Sequence, residues 1–134
     1  MSNSSPSNIS VAVVDDQILV AEMLAYAITK ESDLHLAGVA TNIADALVLI
    51  ADERPDVVLI DYVLPDGDGI EAVKKMLRNS SATRFILLSS NHESELRELA
   101  LDAGCARVLS KDRPIDEVLA AVRSTARGDA SSLS

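Results

Sequence analysis

The sequence predicts a doubly wound α/β fold: one parallel sheet of five strands in the order 2-1-3-4-5, with a helix after each strand. Two observations lead to this prediction. Five short apolar runs recur along the 134 residues, and each is followed by a longer segment whose apolar residues have helical spacing. The runs are four to seven residues long and rich in Val, Ile and Leu, which is typical of strands buried on both faces of a parallel sheet.

The predicted strands coincide with the apolar runs. They are Ile9–Val14, Leu34–Ala40, Val57–Ile60, Phe85–Leu88 and Ala106–Leu109. Residues 1–8 are interpreted as a disordered N-terminal tail, and residues 129–134 as a C-terminal tail or truncated linker. A single domain over residues 9–128 lies between them.

Each predicted helix has an apolar stripe at the helical spacing of i, i+3, i+4 and i+7, or at part of it. The five stripes are Val20, Met23, Leu24, Ala27 and Ile28; Ile43, Ala46, Leu47 and Ile50; Ile70, Val73 and Leu77; Leu96, Leu99, Ala100 and Ala103; and Ile115, Val118, Leu119 and Val122. We expect Gly104 to end the fourth helix, Pro114 to lie in the first turn of the fifth, and the fifth to end near Gly128.

Composition and charge argue against several classes of function. The net charge of −9 disfavours direct binding to nucleic acid or to an anionic membrane, since both are polyanions. Cys105 is the only cysteine, which excludes an internal disulfide and favours a reducing compartment. The start of the chain lacks the features of a signal peptide, and no stretch approaches the ~20 apolar residues of a membrane span. We therefore predict a cytoplasmic protein whose partners are a metal cation or a basic protein surface.

Polar residues that could bind an ion or take part in a reaction follow four of the five predicted strands. Asp15 and Asp16 follow the first, Asp61 the third, Ser89 the fourth and Lys111 the fifth. In an open parallel sheet the carboxyl ends of all strands lie at one edge, which is where ligands bind. In the order 2-1-3-4-5 the first and third strands are neighbours, so the three carboxylates are predicted to converge in one crevice.

Three converging carboxylates repel one another, and a hard divalent cation such as Mg²⁺ removes that repulsion. A carboxylate can also act as a nucleophile towards phosphorus and form an aspartyl-phosphate. Lys111 can supply a positive charge, and the Ser89 hydroxyl can hydrogen-bond a phosphate oxygen. Each residue alone has a simpler interpretation: Asp16 is expected to cap the first helix, and most Ser and Lys side chains are solvated. The combination favours a phosphoryl-accepting site.

With these residues in view, the chain resembles the receiver domains of two-component response regulators, most closely the NarL/LuxR-type subgroup. The matching stretches are VAVVDDQ (Val11–Gln17), VVLIDYVLPDGDG (Val57–Gly69), FILLSS (Phe85–Ser90), DAGCARVLSKD (Asp102–Asp112) and PIDEVLAAVR (Pro114–Arg123). The resemblance covers roughly residues 9–128 and implies a flavodoxin-like fold. It also implies a signalling module, which catalyses only its own phosphorylation and slow dephosphorylation, rather than a metabolic enzyme.

The resemblance implies a Mg²⁺ site. Asp16 and Asp61 would hold the ion through their side chains, with Asp15 nearby or bonded through water, and the backbone carbonyl of Val63 would be a further ligand. No other cofactor is implied.

The resemblance also implies a phosphorylation chemistry and its partners. Asp61 would be the phosphoacceptor, Ser89 the switch hydroxyl and Lys111 its ionic partner. The phosphodonor would be the phosphohistidine of a sensor histidine kinase. A homodimer and, in the parent protein, a separate helix-turn-helix domain that binds DNA are further partners to be expected. Ile18 and Leu19 fall outside the apolar stripe of the first helix, and we assign them to a kinase-docking surface.

One departure from the family concerns how the signal is read out. Receivers often carry Tyr or Phe three residues before the conserved Lys, whereas this sequence has Val108. We expect the activated state to be conveyed by the fourth helix and the preceding loop, residues 89–94, without a rotamer change at residue 108.

Two other functions and one other metal site are possible on the sequence alone. A haloacid dehalogenase-like phosphatase carries a second Asp two residues after its nucleophile. This chain has Val63 there, which argues against phosphatase turnover. A degenerate receiver that only mediates dimerisation or partner binding is the main alternative, and Val108 keeps it open. Asp66 and Asp68 resemble the start of a calcium-binding loop, but Ile70 and Leu77 occupy positions that need oxygen ligands, so no calcium site is predicted there.

Overall fold

The computed structural model describes residues 8–79, 82–90 and 93–128. Its strands are β1 (Ile9–Val14), β2 (Leu34–Ala40), β3 (Val57–Asp61), β4 (Val63–Leu64), β5 (Gly67–Asp68), β6 (Arg84–Ser89) and β7 (Arg107–Ser110). Its helices are α1 (Ile18–Thr29), α2 (Ile43–Glu53), α3 (Gly69–Asn79), α4 (Ser94–Ala103) and α5 (Ile115–Ala126). The tails predicted at 1–8 and 129–134 lie outside the described residues, apart from Asn8.

Five of the strands form one parallel sheet in the order β2-β1-β3-β6-β7. If the sheet strands alone are numbered, this is the predicted order 2-1-3-4-5, and the flavodoxin-like α/β fold is confirmed. The labels differ because β4 and β5 form a separate two-stranded antiparallel hairpin. This hairpin was not predicted, because strands of two residues are too short to have a recognisable pattern.

The sheet is buried on both faces, as the continuous apolar runs predicted. Alternate residues of one strand point to opposite sides, so Val58 and Ile60 pack with α2, α3 and α4, whereas Val57 and Leu59 pack with α1 and α5. All four side chains are fully buried, and each contributes about 1.5–3 kcal/mol to folding. This central strand therefore gives a rigid base to Asp61 at its end.

Two of the predicted helix stripes are wrong in part. Met23 is 53% exposed and Leu99 is 59% exposed, although both were assigned to the buried face. In α1 the buried residues are Ala21, Leu24 and Ile28. The stripe is thus centred about one position away from the predicted one, because almost every residue of α1 is apolar and the pattern does not fix which side faces the sheet.

The helix ends agree with the sequence in two cases and differ in two. α5 ends two residues before Gly128, as expected. Gly104 ends α4 with φ 111°, as expected. Pro114 is the N-cap of α5 rather than a first-turn residue. Gln17, not Asp16, is the N-cap of α1, because the Asp15 carboxylate accepts a hydrogen bond from the Gln17 backbone N–H at 2.9 Å. Within the described part of the chain, no helix is long and apolar enough to cross a membrane.

Candidate functional site

The sheet brings the predicted site residues together at the carboxyl ends of its strands. β1 and β3 are paired with Val14 opposite Ile60, so the residues that follow them, Asp15 and Asp61, are neighbours. β6 and β7 are paired with Ser89 opposite Ser110, one residue before Lys111. The predicted convergence of strand ends is therefore present in the structure.

Lys111 lies between the two buried carboxylates. Its Nζ is 3.0 Å from Asp61 Oδ2 and 3.2 Å from Asp15 Oδ2. The side chains of both aspartates are at most 7% exposed, so water contributes little to solvating their charges. Two carboxylates in such surroundings need a cation nearby, and in the described structure Lys111 provides it.

The surroundings shift the pKa of both members of the Asp61–Lys111 pair. Burial raises the pKa of the Asp61 carboxyl above its ordinary value; the hydrogen bond from Lys111 opposes the rise and the negative charge of Asp15 adds to it. Burial by itself would lower the pKa of Lys111, but the hydrogen bond to Asp61 and the charges of Asp15 and Asp61 outweigh it and raise that pKa. Lys111 is therefore held in its charged form, and a further cation beside Asp61 would stabilise the Asp61 carboxylate.

The three aspartates form a group that fits a divalent metal ion. Carboxylate oxygens of Asp15, Asp16 and Asp61 all lie within 4.8 Å of one another. Asp15 Oδ2 is buried and, among the described residues, has no hydrogen-bond partner, although it lies within ionic range of Lys111. An oxygen that is desolvated and lacks a hydrogen bond favours a hard cation. Asp16 is exposed, so it offers a ligand at the open side of the group.

A cleft of ≈ 350 Å³ opens beside these carboxylates. Its lining residues are Asp16, Gln17, Asp61, Tyr62, Val63, Ser89, Ser90 and Lys111. Ser89 is 2% exposed and lies at the end of β6, beside the phosphoacceptor candidate Asp61 on β3. The cleft is large enough for a phosphoryl group together with water, and it is lined by every site residue predicted from the sequence except Asp15, which is fully buried.

The backbone around Asp61 is held closely by the start of α3. The backbone N–H of Gly69 donates to the Tyr62 carbonyl at 2.6 Å. A Cβ atom on Gly69 would lie 2.3 Å from the Asp61 carbonyl oxygen, so only glycine allows this approach. The backbone N–H of Val63 donates to Asp61 Oδ1 at 3.4 Å. Gly69 thus lets α3 begin directly behind the strand end that carries Asp61.

Sequence reasoning missed one site residue, Gln17. Its side-chain Oε1 accepts a hydrogen bond from Lys111 Nζ at 2.8 Å, so the lysine is held by three oxygens from Asp15, Asp61 and Gln17. The available signal was its position directly after the acidic pair, at the mouth of the predicted crevice. An uncharged amide at that position does not by itself indicate an interaction with a distant residue such as Lys111.

The position expected to differ from the family in signal readout is tied to α4. Val108 is partly buried and packs against the core that α2, α3 and α4 cover. Arg97 on α4 donates to the Val108 carbonyl at 3.4 Å. Two residues of the loop expected to take part in readout, Asn91 and His92, lie outside the described residues.

Comparison with known proteins points to one family. Residues 11–123 match the family model described as "Response regulator receiver domain". The chain is 34% identical to the transcriptional regulatory protein YxjL of Bacillus subtilis, over 91% of this chain and 56% of YxjL. It is also 34% identical to the transcriptional regulatory protein NarL of Mycobacterium tuberculosis, over 96% of this chain and 59% of NarL. The chain thus spans less than two thirds of these curated relatives.

Solved structures give the same result. The signal receiver domain of the response regulator NarL from Mycobacterium tuberculosis superposes with a TM-score of 0.86 and 34% identity, covering 92% of this chain and 99% of that domain. The receiver domain of the Francisella response regulator 1452 superposes with a TM-score of 0.81 and 29% identity, covering 91% of this chain and 99% of that one.

Proposed function

The chain belongs to the family of response regulator receiver domains, as a member of NarL/LuxR type, and from this premise we propose that it accepts a phosphoryl group on Asp61 in a Mg²⁺-dependent reaction. The single observation that carries the proposal is the position of Lys111 Nζ, 3.0 Å from Asp61 Oδ2 and 3.2 Å from Asp15 Oδ2. A phosphoacceptor carboxylate needs a fixed positive charge beside it, since phosphoryl transfer depends on positioning and charge neutralisation more than on covalent help from the protein.

Asp16 and Asp61 would bind Mg²⁺ through their carboxylates, with Asp15 beside it and the Val63 carbonyl as a further ligand. When bound, the ion would neutralise charge on the phosphoryl oxygens. This assignment is supported by the short separation of the three carboxylates and by the buried Asp15 oxygen without a hydrogen bond. The same donor set of hard oxygens disfavours soft metals.

The bonds that change in the transfer belong to Asp61 and the donor, and the other residues that line the cleft position and neutralise the phosphoryl group. One Asp61 carboxylate oxygen forms a bond to phosphorus, and the bond from phosphorus to the imidazole nitrogen of the donor phosphohistidine breaks, which leaves a neutral histidine on the donor once the nitrogen takes up a proton. Lys111 faces Asp61 and can pair with a phosphoryl oxygen. The Ser89 hydroxyl, at the end of the adjacent strand, can donate to another. Phosphorylation would then change the surface near β6 and α4.

The donor in this proposal is a sensor histidine kinase, and the chain is a signalling module over residues 9–128 rather than a metabolic enzyme. Ile18 and Leu19, at the start of α1 beside the cleft, are 58% and 81% exposed. Apolar side chains at the rim of a reaction site are suited to docking of a protein donor. The net charge of −9 argues that DNA binding, if the parent protein controls transcription as its relatives' names suggest, resides in a separate domain.

The test is incubation with acetyl phosphate or phosphoramidate, with Mg²⁺ or with EDTA, followed by intact-mass analysis of the wild type and Asp61→Asn. We expect a gain of one phosphoryl group that requires Mg²⁺ and is lost in the variant. If no donor phosphorylates the wild type under any condition, the alternative of a degenerate receiver that acts by dimerisation or partner binding replaces the proposal.

A further inference from the structure

The hairpin formed by β4 and β5 carries Val63 but has little stability of its own. Each strand has two residues, with Val63 paired to Asp68 and Leu64 to Gly67, and Pro65 and Asp66 form the turn. Isolated two-stranded hairpins are marginally stable in water even when longer. Contacts from outside must therefore fix the backbone that would offer the Val63 carbonyl to a cation.

At the tip of the hairpin, Asp66 makes two hydrogen bonds to a neighbouring helix. Its Oδ1 accepts a hydrogen bond from the Ile43 backbone N–H at 2.8 Å, and its Oδ2 accepts one from the Ala44 backbone N–H at 3.1 Å. Both donors belong to the first turn of α2, whose N–H groups have no partners within the helix. The carboxylate thus attaches the turn of the hairpin to another helix, 22–23 residues earlier in the chain.

Packing at the same place supports this attachment. A Cβ atom on Gly67 would lie 2.9 Å from Ile43 Cδ1, so the hairpin and the first residue of α2 are in direct contact. On the other side of the turn, Leu64 is 6% exposed and belongs to the core. The hairpin base is joined to α3, because Asp68 Oδ1 accepts from the Glu71 backbone N–H at 2.8 Å. The two aspartates of the D-G-D motif therefore cap two different helices and hold the hairpin between them.

We infer that Asp66 is a positioning residue for the cation site: by attaching the hairpin to the N-terminus of α2, it holds the Val63 carbonyl in place and so sets the affinity for Mg²⁺. This inference rests on the proposed function, since it assigns a second layer of support to the same site. Side chains that orient metal ligands without touching the metal commonly change metal affinity when they are replaced.

Two simpler roles must be separated from positioning. Asp66 could matter only because it caps α2, or only because its negative charge attracts a cation. α2 offers a matched control for the first role, because Asn42 Oδ1 accepts from the Asp45 backbone N–H at 2.7 Å in the same helical turn. The Asn42 side chain therefore caps α2 through Asp45 and not through the hairpin. Asp66→Asn addresses the second role, because it removes the charge and keeps one of the two acceptor oxygens, enough for one of the two bonds to α2.

The experiment measures the Mg²⁺ dissociation constants of the wild type, Asp66→Ala, Asp66→Asn and Asn42→Ala from amide chemical shifts in an NMR titration with MgCl₂. We expect Asp66→Ala to raise the Mg²⁺ dissociation constant about fivefold. This is the effect of one capping interaction if its whole free energy is lost from Mg²⁺ binding. Asn42→Ala is expected to stay within about twofold of the wild type. Asp66→Asn, which keeps one of the two bonds to α2, is expected to bind Mg²⁺ more tightly than Asp66→Ala and more weakly than the wild type. Equal weakening in Asp66→Ala and Asn42→Ala, or in Asp66→Ala and Asp66→Asn, would overturn the inference, as would an unchanged Asp66→Ala.

A measurement without metal tests the attachment directly. Amide hydrogen exchange of Leu64 and Gly67 in EDTA is expected to be faster in Asp66→Ala than in Asn42→Ala, because only the first variant releases the hairpin. Equal exchange in the two variants would contradict the inference. If the wild type showed no Mg²⁺-dependent shifts, the proposed function itself would fail. If the wild type and Asp66→Ala bound Mg²⁺ equally tightly, only the positioning role of Asp66 would fail.

Discussion

Asp61 and Lys111 are 50 residues apart in the sequence, yet their carboxylate and ammonium groups are 3.0 Å apart at the mouth of one cleft. The pair is not a simple salt bridge, because Lys111 is shared with Asp15 at 3.2 Å. One cation thus faces two buried carboxylates, and the pKa of Asp61 is raised by burial and by the Asp15 charge despite the lysine. The site retains net negative charge for a metal ion and keeps a cation beside the nucleophile.

A first prediction concerns the stability of the metal-free protein. The pKa of Asp61 is raised in the folded state, so its protonation favours folding; this stabilisation is complete below the unfolded pKa and is lost as pH rises through the folded pKa. At about pH 7 the ionised Asp61 therefore opposes folding relative to a neutral amide. We expect Asp61→Asn to have a higher free energy of unfolding than the wild type in EDTA.

Urea denaturation followed by circular dichroism checks this prediction across a range of pH. The difference between Asp61→Asn and the wild type should shrink as pH falls through the raised pKa of the folded Asp61 carboxyl towards its ordinary value of about 4. Added MgCl₂ should also reduce it, because a ligand that binds only the folded wild type stabilises that protein. A difference that is constant with pH would mean that the Asp61 charge is not its cause.

The fold and most of the site were predictable for a common reason. Strands buried on both faces appear in the sequence as continuous apolar runs. Parallel pairing of such strands places Asp15, Asp61 and Lys111 at one edge of the sheet, so their proximity can be predicted before their contacts are known. Features that depend on side-chain detail were not predictable. The contact between Gln17 and Lys111 joins residues 94 apart, and α1, whose only charged residue is Glu22, has no polar face to show that Met23 would be exposed.

Gly69 provides a second prediction. A methyl group at this position would meet the Asp61 carbonyl oxygen at 2.3 Å, and a backbone atom cannot rotate out of the way. We expect Gly69→Ala to lower the free energy of unfolding by about 1–3 kcal/mol and to weaken Mg²⁺ binding by displacing the Asp61 backbone. Urea denaturation and an NMR titration with MgCl₂ measure the two effects.

Gly104→Ala is the matched control for this prediction. Its Cβ would meet the flexible Leu77 side chain at 2.4 Å, and its φ of +111° disfavours any other residue, so it should also be destabilised. Gly104 follows α4 and precedes the start of β7, however, so it lies at the amino ends of the strands, away from Asp61. Its replacement should leave the Mg²⁺ dissociation constant unchanged. Equal loss of Mg²⁺ affinity in both variants would show that general destabilisation, rather than the Asp61 backbone, is responsible.

Cys105 provides a third prediction. It is 5% exposed, and burial raises the pKa of its thiol to about 12. At about pH 8 only ~10⁻⁴ of the thiol is then ionised, and the thiolate is the reactive form. We expect alkylation by iodoacetamide to be slower in the folded protein than in urea by about two to three orders of magnitude, as measured by intact mass over time.

A control for Cys105 moves the single cysteine to the surface. Ala120 is exposed on α5, so the double variant Cys105→Ala, Ala120→Cys should be alkylated at similar rates in the folded and the unfolded protein. If the wild type reacted as fast as this variant under native conditions, Cys105 would be reactive rather than structural.

The last prediction concerns the docking surface at the start of α1. Ile18 is 58% exposed and directly follows Gln17, which lines the cleft. A donor protein that brings its phosphohistidine to Asp61 must cover this rim, whereas acetyl phosphate need not touch it. Ile18→Asp is therefore expected to slow transfer from a sensor kinase that phosphorylates the wild type by about tenfold, the effect of losing one well-packed interface residue.

Val48→Asp is the matched control, because Val48 is an equally apolar residue, 61% exposed, on α2 across the sheet from α1. It should leave transfer from the kinase unchanged, and both variants should react with acetyl phosphate at the wild-type rate. Equal slowing of Ile18→Asp with kinase and with acetyl phosphate would mean that the substitution damages the Asp61 site itself. Because Ile18 and Asp61 are joined through Gln17 and Lys111, only the comparison of the two donors separates docking from chemistry.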